Sequence, residues 1–408
     1  MERVPRFAAF RRTLANKNFA MFTAGSLVSV IGTWMQRVAV GWLTWELAGS
    51  AAWLGAVAAA EFMPTIIVAP VVGALADRFD RRKIALIGQV LATVQAAALA
   101  LLTITGVITP IWIFLLQLLS GVIQPATQTA RLVLVPSLVP RENLGNAVAI
   151  TSLTFNIARI MGPGLSGLAI ATVGAGYSFA VNAASYFGVI ASILAMQIPP
   201  QAAKAPDTRP LRAAVWTDIV EGARYAATHT DLRAALSLIA VSSLLTWPLS
   251  DLMAGVVDTK FGLGVAALAT VTSAQGAGAI CAGLFIAQKN NHENALRMGV
   301  VSMTLLGLTL VAFALNTSFL IAVPLAAAMS LLGGITSIGT QTATQMVADD
   351  RMRARTISTW YTVTRVCVAT GSLTMGAIAQ FTGFALPLAL AGGLTFITGV
   401  YFYRNRRH

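Results

Sequence analysis

The sequence predicts an all-α membrane protein, with twelve transmembrane helices arranged as two pseudo-symmetric six-helix bundles. Three observations predict it. Of the 408 residues, 56% are hydrophobic and 11% charged, against about 25% charged in a typical soluble domain. A chain this apolar cannot cover itself in water, but it suits helices that face lipid on all sides. Apolar runs of roughly 20 residues, the length that crosses a bilayer, recur between polar turns. The connections between those runs alternate between basic-rich and basic-poor, which is the positive-inside pattern.

The basic start, Met1 to Lys17, runs straight into a long apolar stretch with no small-residue cleavage site. It predicts a first span rather than a cleaved signal. Spans are expected near 20–46, 52–76, 84–106, 110–133, 145–172 and 176–198, then 233–257, 265–288, 296–315, 318–346, 355–381 and 384–403. Connections on one side carry Arg3, Arg6, Arg11, Arg12 and Lys17, then Arg78, Arg81, Arg82 and Lys83, then Arg141. The same side continues with Lys204, Arg209, Arg212, Arg224 and Arg233, then Lys289 and Arg297, then Arg351, Arg353 and Arg355, and ends with Arg404, Arg406 and Arg407. The other side carries a single basic residue, Lys260. This places both termini in the cytoplasm and requires an even number of spans.

One connection is long. It holds Pro199, Pro200, Pro206 and Pro210, followed by an amphipathic piece from Leu211 to Tyr225. The expected domains are therefore 1–198, a cytoplasmic linker at 199–230, and 231–408. The linker reads either as a plain surface connection or as a hinge between halves. The halves echo each other weakly. Gly73 to Asp77 followed by Ile84 to Gly88 compares with Gly283 to Phe285 followed by Ala295 to Gly299. The fifth and eleventh spans each carry one mid-depth arginine, Arg159 and Arg365.

Composition excludes several classes. The net charge of +13 falls in short clusters between apolar runs, as topology signals do, rather than on a soluble nucleic-acid face. Cys281 and Cys367 make neither a disulfide framework nor a metal set. His229, His292 and His408 are too dispersed for zinc. There is no HExxH, no Gly-x-Ser-x-Gly, no P-loop and no filter-like segment, which argues against a membrane enzyme, an ATP-driven pump and a channel. No cofactor and no metal are expected.

The sharpest motif lies between spans two and three: Gly73-Ala-Leu-Ala-Asp77-Arg78-Phe-Asp80-Arg81-Arg82-Lys83. Gly73 lets neighbouring helices approach closely, and Asp77 is placed to hold basic groups or cap a helix N-terminus. The string resembles the signature Gly-x-Leu-x-Asp-Arg-x-Gly-Arg-Arg/Lys of the major facilitator superfamily, with Asp80 in place of a glycine. Its Asp-Arg-Phe-Asp-Arg-Arg form is similar to the branch of enterobactin exporters and transmembrane secretion effectors. Asn18-Phe19, Gly32 to Gln36, Pro125-Ala126 with Pro136 to Leu144, and Gln341, Gln345, Arg353, Arg355 and Ser358 resemble the same branch.

The resemblance implies the major facilitator fold and a conformational latch made of Gly73, Asp77, Arg78, Arg81 and Arg82, in which Asp77 and Arg81 brace the outward-facing state. Ala158-Arg159-Ile-Met-Gly162-Pro163-Gly164-Leu-Ser166-Gly167 is similar to the antiporter-associated Gly-x-x-x-Gly-Pro-x-x-Gly-Gly, with Ala158 and Ser166 replacing glycines. Gly162, Pro163 and Gly167 read as a helix kink in either case. A family arginine in span four, three residues before Gln-Gly, is replaced by Gln117, with Ser120 for the glutamine. Proton relay through span four is not expected.

Five ionisable residues fall toward mid-membrane depth: Arg37, Glu61, Arg159, Asp251 and Arg365. Each costs several kcal/mol unless paired or hydrated, and so marks a functional hypothesis. Arg37 and Glu61 come out about 13–15 Å below the outer surface on spans one and two. They read as an ion pair, as a protonatable Glu61 tuned by Arg37, or as a purely structural pair. Asp251 follows Trp247-Pro248 and reads as a second proton carrier or as a hydrated residue near the outer mouth. Arg159 and Arg365 either face an anionic substrate from two sides or bond backbone carbonyls at kinks. Trp34, Gln36, Trp247, Gln275, Gln341, Gln345, Trp360 and Tyr361 are candidate cavity lining.

The resemblance implies a secondary active transporter, with a small organic solute (siderophore or drug-like) exported by alternating access and proton antiport. Uptake or lysophospholipid flipping by the same fold is the alternative. The expected partners are the solute, protons and the lipid bilayer, with no nucleic acid. The expected setting is a monomer in a bacterial inner membrane.

Overall fold

A computed structural model describes residues 13–195, 211–289, 295–349 and 352–405. All regular structure among them is helical. The helices are α1 (Lys17–Ala48), α2 (Ala51–Arg78), α3 (Arg81–Ile104), α4 (Pro110–Leu138), α5 (Leu144–Val173) and α6 (Ala175–Ala195). There follow α7 (Leu211–Thr228), α8 (Thr230–Leu245), α9 (Pro248–Phe261), α10 (Val265–Lys289), α11 (Ala295–Leu315), α12 (Phe319–Val347), α13 (Arg353–Thr382) and α14 (Ala385–Asn405).

Ten segments among the described residues are long and apolar enough to cross a membrane, with Thr230–Phe261 as one of them. The other two spans are α1 and α5, of 32 and 30 residues, which at about 1.5 Å per residue are longer than a bilayer core. They are less apolar because polar groups interrupt them, Gln36 and Arg37 in α1, Asn156 and Arg159 in α5. Twelve spans result, and α7 is the amphipathic linker helix.

The described residues pack as two compact units, one from 1–40 and 67–209, the other from 41–66 and 210–408. The continuous helices α1 and α2 contribute to both. In the first unit α3 packs on α6 and α4, and α5 on α6. In the second unit α11 packs on α14 and α12, and α13 on α14. Those are the same pairings six spans later, as a duplicated half requires.

Lipid gives helices no hydrophobic reason to associate, so close backbone approach replaces it. A Cβ on Gly25 would lie 2.8 Å from the Gly188 carbonyl oxygen, and one on Gly307 would lie 2.7 Å from that of Gly392. These glycines set the α1–α6 and α11–α14 crossings. Each unit also has an apolar plug toward the basic ends of its helices. Phe19, Phe22, Leu138 and Ile193 cluster in the first, and Leu238, Leu296, Val300 and Met303 in the second. Leu320 and Phe381, 83% and 89% exposed, are tolerable only where the solvent is itself apolar.

Two features of the sequence find structural causes. Asp80, the departure from the family signature, is the N-cap of α3, and its side chain accepts from the Arg82 backbone N–H at 2.8 Å. Lys260, the single basic residue of the other set of connections, donates through Nζ to the Phe313 and Ala314 carbonyls. It satisfies the last turn of α11 and favours its negative dipole end.

Candidate functional site

In the first unit, α5 crosses α1 at Gly162. A Cβ there would lie 2.4 Å from the Trp34 Cβ and 3.1 Å from the Ile31 carbonyl oxygen. Only hydrogen at that position admits Trp34 against the α5 backbone. Pro163 and Gly167 follow, buried within the same helix, and the Ser166 hydroxyl donates to the Met35 carbonyl at 2.9 Å. The kink motif therefore acts as the seat of Trp34. One turn earlier on α5, the Arg159 guanidinium carbon lies 5.5 Å from the centre of the Trp34 ring. Arg37, one turn after Trp34 on α1, lies 5.8 Å from the same centre. Phe155 meets the indole edge-on at 5.9 Å. Arg37, Trp34 and Arg159 are each half-buried.

Gln36 is buried on the next position of α1. Its amide donates to Gln95 Oε1 at 3.2 Å, and its own oxygen accepts from Asn182 Nδ2 at 2.8 Å. Asn182 also donates to the Tyr186 hydroxyl, and Gln95 to the Leu116 carbonyl. This network ties α1, α3, α4 and α6. Sequence reasoning named Gln36 and missed Gln95 and Asn182. Buried amides on successive spans were the signal that was there to be used. Gln117, which replaces the family arginine, is buried on α4.

In the second unit, span seven is broken. Pro248 has no N–H for the Leu244 carbonyl, so α8 stops at Leu245 and α9 begins at Pro248. Gly371 of α13 covers the break, since a Cβ on it would lie 2.1 Å from the Leu244 carbonyl oxygen. Asp251 lies in the first turn of α9, where the helix dipole favours a negative group. The Ser372 hydroxyl donates to its Oδ2 at 3.1 Å. Trp247, at the break, is 40% exposed. Glu61, half-buried on α2, lies in the 41–66 segment that packs with this unit. The segment is seated by a glycine contact, because a Cβ on Gly55 would lie 2.2 Å from the Ser372 carbonyl oxygen and 3.2 Å from the Gly376 Cα.

Gln341 donates to the Tyr361 hydroxyl at 3.0 Å, and Tyr361 stands edge-on to Trp360 at 5.1 Å. Trp360 is buried, its Nε1 donating to Thr340. Gln345 is exposed near the end of α12, where its carbonyl accepts from Arg353 Nε. Arg365 is half-buried on α13.

Of the expected latch, Arg82 is described. Its Nη2 donates to the Leu194 carbonyl at 2.9 Å, capping the last turn of α6. The side chains of Asp77, Arg78 and Arg81 lie outside the described residues. A Cβ on Gly73 would meet no described atom within 4 Å. The close helix approach expected there is therefore not seen among the described residues.

This architecture is shared with known proteins. The multidrug efflux pump Tap of Mycolicibacterium fortuitum is 30% identical over 240 residues, 58% of this chain and 57% of that one. The chain thus spans a little over half the length of Tap. The enterobactin exporter EntS of Salmonella typhi is 26% identical over 328 residues, 79% of this chain and 72% of that one. Among solved structures, the nucleoside transporter NupG superposes with a TM-score of 0.73 at 13% identity, covering 96% of this chain and 99% of that one. A bacterial homolog of the human lysosomal transporter Spinster, inward-facing and occupied, gives 0.72 at 13% identity, covering 95% and 96%. The two structures share the fold. The transmembrane secretion effector family matches residues 7–407, and the chain belongs to that family, within the major facilitator superfamily of transporters.

Proposed function

We propose that the chain is a secondary active exporter of a small organic solute, working by alternating access and exchanging the solute for protons. The observation that carries export is the family match over 7–407, together with relatives named as efflux pump and exporter. The setting is a bacterial inner membrane, with the chain acting as a monomer and both termini in the cytoplasm. The basic-rich set of connections supports that orientation. The halves are 1–198 and 231–408, joined through the linker at 199–230.

Asp251 and Glu61 are the proton carriers in this reading. Asp251 sits at the start of a half-helix produced by a proline break, where the Ser372 hydroxyl donates to it. Discontinuous helices of this kind hold substrate or coupling ions in transporters. The Gly73 to Arg82 motif acts as the latch of the outward-facing state.

The test is uptake into inverted membrane vesicles with an imposed pH gradient, using siderophores, drugs and lysophospholipids in parallel. Gradient-dependent accumulation of a siderophore or drug is expected, and Asp251→Asn or Glu61→Gln should uncouple it. Accumulation indifferent to the gradient sinks antiport. Accumulation only in right-side-out vesicles sinks export, and lysophospholipid movement alone replaces the solute by a lipid.

A further inference from the structure

In the first unit, Ser26 Oγ and Ser29 Oγ on α1 and Gln89 Oε1 on α3 are buried with no hydrogen-bond partner among the described residues. Their residues are 6%, 0% and 1% exposed. By position in α1 and α3 they lie about 12–18 Å inside the basic ends of those helices. A serine or threonine inside a helix commonly donates its hydroxyl to the carbonyl one turn back. Thr33 and Thr93 do so on these two helices, to the carbonyls of Ser29 and Gln89. Ser26 and Ser29 do not, so their hydroxyls are turned away from their own helix.

Contacts above and below bring the three oxygens to one place. Toward the basic ends, Phe22 of α1 and Ala85 of α3 share an apolar cluster with Val189 of α6. Toward mid-membrane, Gln36 of α1 donates to Gln95 of α3 and accepts from Asn182 of α6. Ser29 is seven residues from Phe22 and seven from Gln36, two turns either way on one face of α1. Gln89 falls between Ala85 and Ala92 on one face of α3, and Ala92 clusters with Tyr186 of α6. Ser29 and Gln89 therefore stand at the same level between two contacts made by the same helices. Ser26 is one turn from both Phe22 and Ser29. On the third side, a Cβ on Gly32 would lie 2.7 Å from Ser185 Oγ, so α6 is seated against this face of α1.

A serine hydroxyl can donate or accept, whereas an amide oxygen only accepts. What satisfies all three must be small and must both donate and accept. Water does, and a buried water typically makes about three hydrogen bonds to such groups. A metal cation fits less well, because all three oxygens are neutral and the mid-membrane charges on α1 and α5, Arg37 and Arg159, are positive. We infer that Ser26, Ser29 and Gln89 hold a buried water that bridges α1 to α3, donating to Gln89 Oε1 and accepting from the serine hydroxyls. The bridge continues the Gln36–Gln95–Asn182 network toward the basic ends, where Phe19, Phe22 and Ile193 close it off. It does not depend on the transporter reading.

The test uses the purified full chain in lipid nanodiscs and short X-ray pulses, which split bound water in place so that its radicals oxidise the side chains beside it. Phe22 and Tyr186 are the reporters, only 3% and 9% exposed, and Phe313, 0% exposed, is the dry control. Corrected for intrinsic reactivity, both reporters should label several-fold faster than Phe313, and Ser29→Ala with Gln89→Met should bring them back toward it. Thermal unfolding gives a second readout. An apolar substitution relieves a dry buried oxygen, but it deletes a hydrogen bond from a hydrated one. Ser29→Ala and Gln89→Met should each lower the Tm by about 2 °C, and together by less than the sum, because both remove one bridge.

Reporters that label no faster than Phe313 overturn the inference using wild-type protein alone. So does labelling that the double substitution leaves unchanged. A higher Tm in both single variants shows dry oxygens, and losses that add in full show no shared water; either overturns the bridge. A Tm raised by sodium chloride over choline chloride, and only while Ser29 and Gln89 are present, puts a cation in the site in place of water.

Discussion

Trp45, near the end of α1, donates through Nε1 to Asp258 Oδ2 of α9 at 2.8 Å. Both residues belong to the second compact unit. The bond ties the segment between the first two spans to the broken seventh span, and Phe384, just before α14, packs on the same indole at 5.9 Å. A second tie lies at the next turn, where the Ser50 hydroxyl donates to Gln380 Oε1. Trp45→Phe keeps the aromatic body and deletes the donor. Hydrogen bonds of this type in membrane proteins contribute on the order of 0.5–2 kcal/mol. A lower apparent Tm and an altered transport rate are expected. Unchanged values for both would show that the bond carries neither stability nor gating.

The seat of that same segment is steric. Gly55→Leu or Gly376→Leu places side-chain carbon into the backbone of the facing helix, and strong loss of stability or transport is expected from either. Gly73→Ala is the contrast, since its Cβ meets no described atom within 4 Å. Thermal unfolding of the three variants side by side checks the ordering. A Gly73→Ala protein as damaged as Gly55→Leu would contradict it.

The break in span seven depends on Pro248 and on the cover supplied by Gly371. Gly371→Ala forces a methyl against the Leu244 carbonyl oxygen, 2.1 Å away before relaxation. It should destabilise more than Gly393→Ala, where a Cβ has open space. Pro248→Ala returns an N–H that Leu244 can accept, so span seven should straighten and transport should fall while stability holds. Full transport in Pro248→Ala would remove the break from the mechanism.

Asp80 reads at first as damage to a family signature, and the structure makes it a helix cap. Asp80→Ala should cost about 1 kcal/mol and Asp80→Gly, the residue of the signature, only a few tenths. Equal losses in a denaturation series would contradict the cap.

The linker helix α7 is held to α13 more by packing than by charge. Arg355 pairs with Glu221, but the two side chains are 27% and 47% exposed, and exposed ion pairs contribute about 0–1 kcal/mol. Beside them, a Cβ on Gly222 would lie 2.7 Å from Thr359 Oγ1 and 2.9 Å from the Arg355 carbonyl oxygen. Glu221→Gln should change trypsin cleavage of α7 little, whereas Gly222→Leu should accelerate it clearly. The reverse order would assign the clasp to the ion pair.

Span number and the family signature were legible in the sequence because each rests on local chemistry. About 20 apolar residues cross a bilayer wherever they occur, and a charged turn keeps its order whatever packs beside it. The amphipathic linker helix was legible for the same reason, from Leu211 onward. The same local reading identified Trp34, Arg37 and Arg159 as residues worth attention. It could not say that they share a ring. Helices in lipid are apolar on most sides, so no polar stripe tells which face turns inward. Rotation and crossing point are set by small residues such as Gly162, whose missing Cβ matters only against a particular neighbour. The sequence by itself therefore determined how many times the chain crosses and which residues it carries across. Tertiary structure alone decided that two arginines meet on Trp34, that residues 41–66 pack with the second unit, and that Gly371 covers the break at Pro248. Each of these is a contact between residues distant in the chain, and distance along a sequence carries no information about side-chain facing.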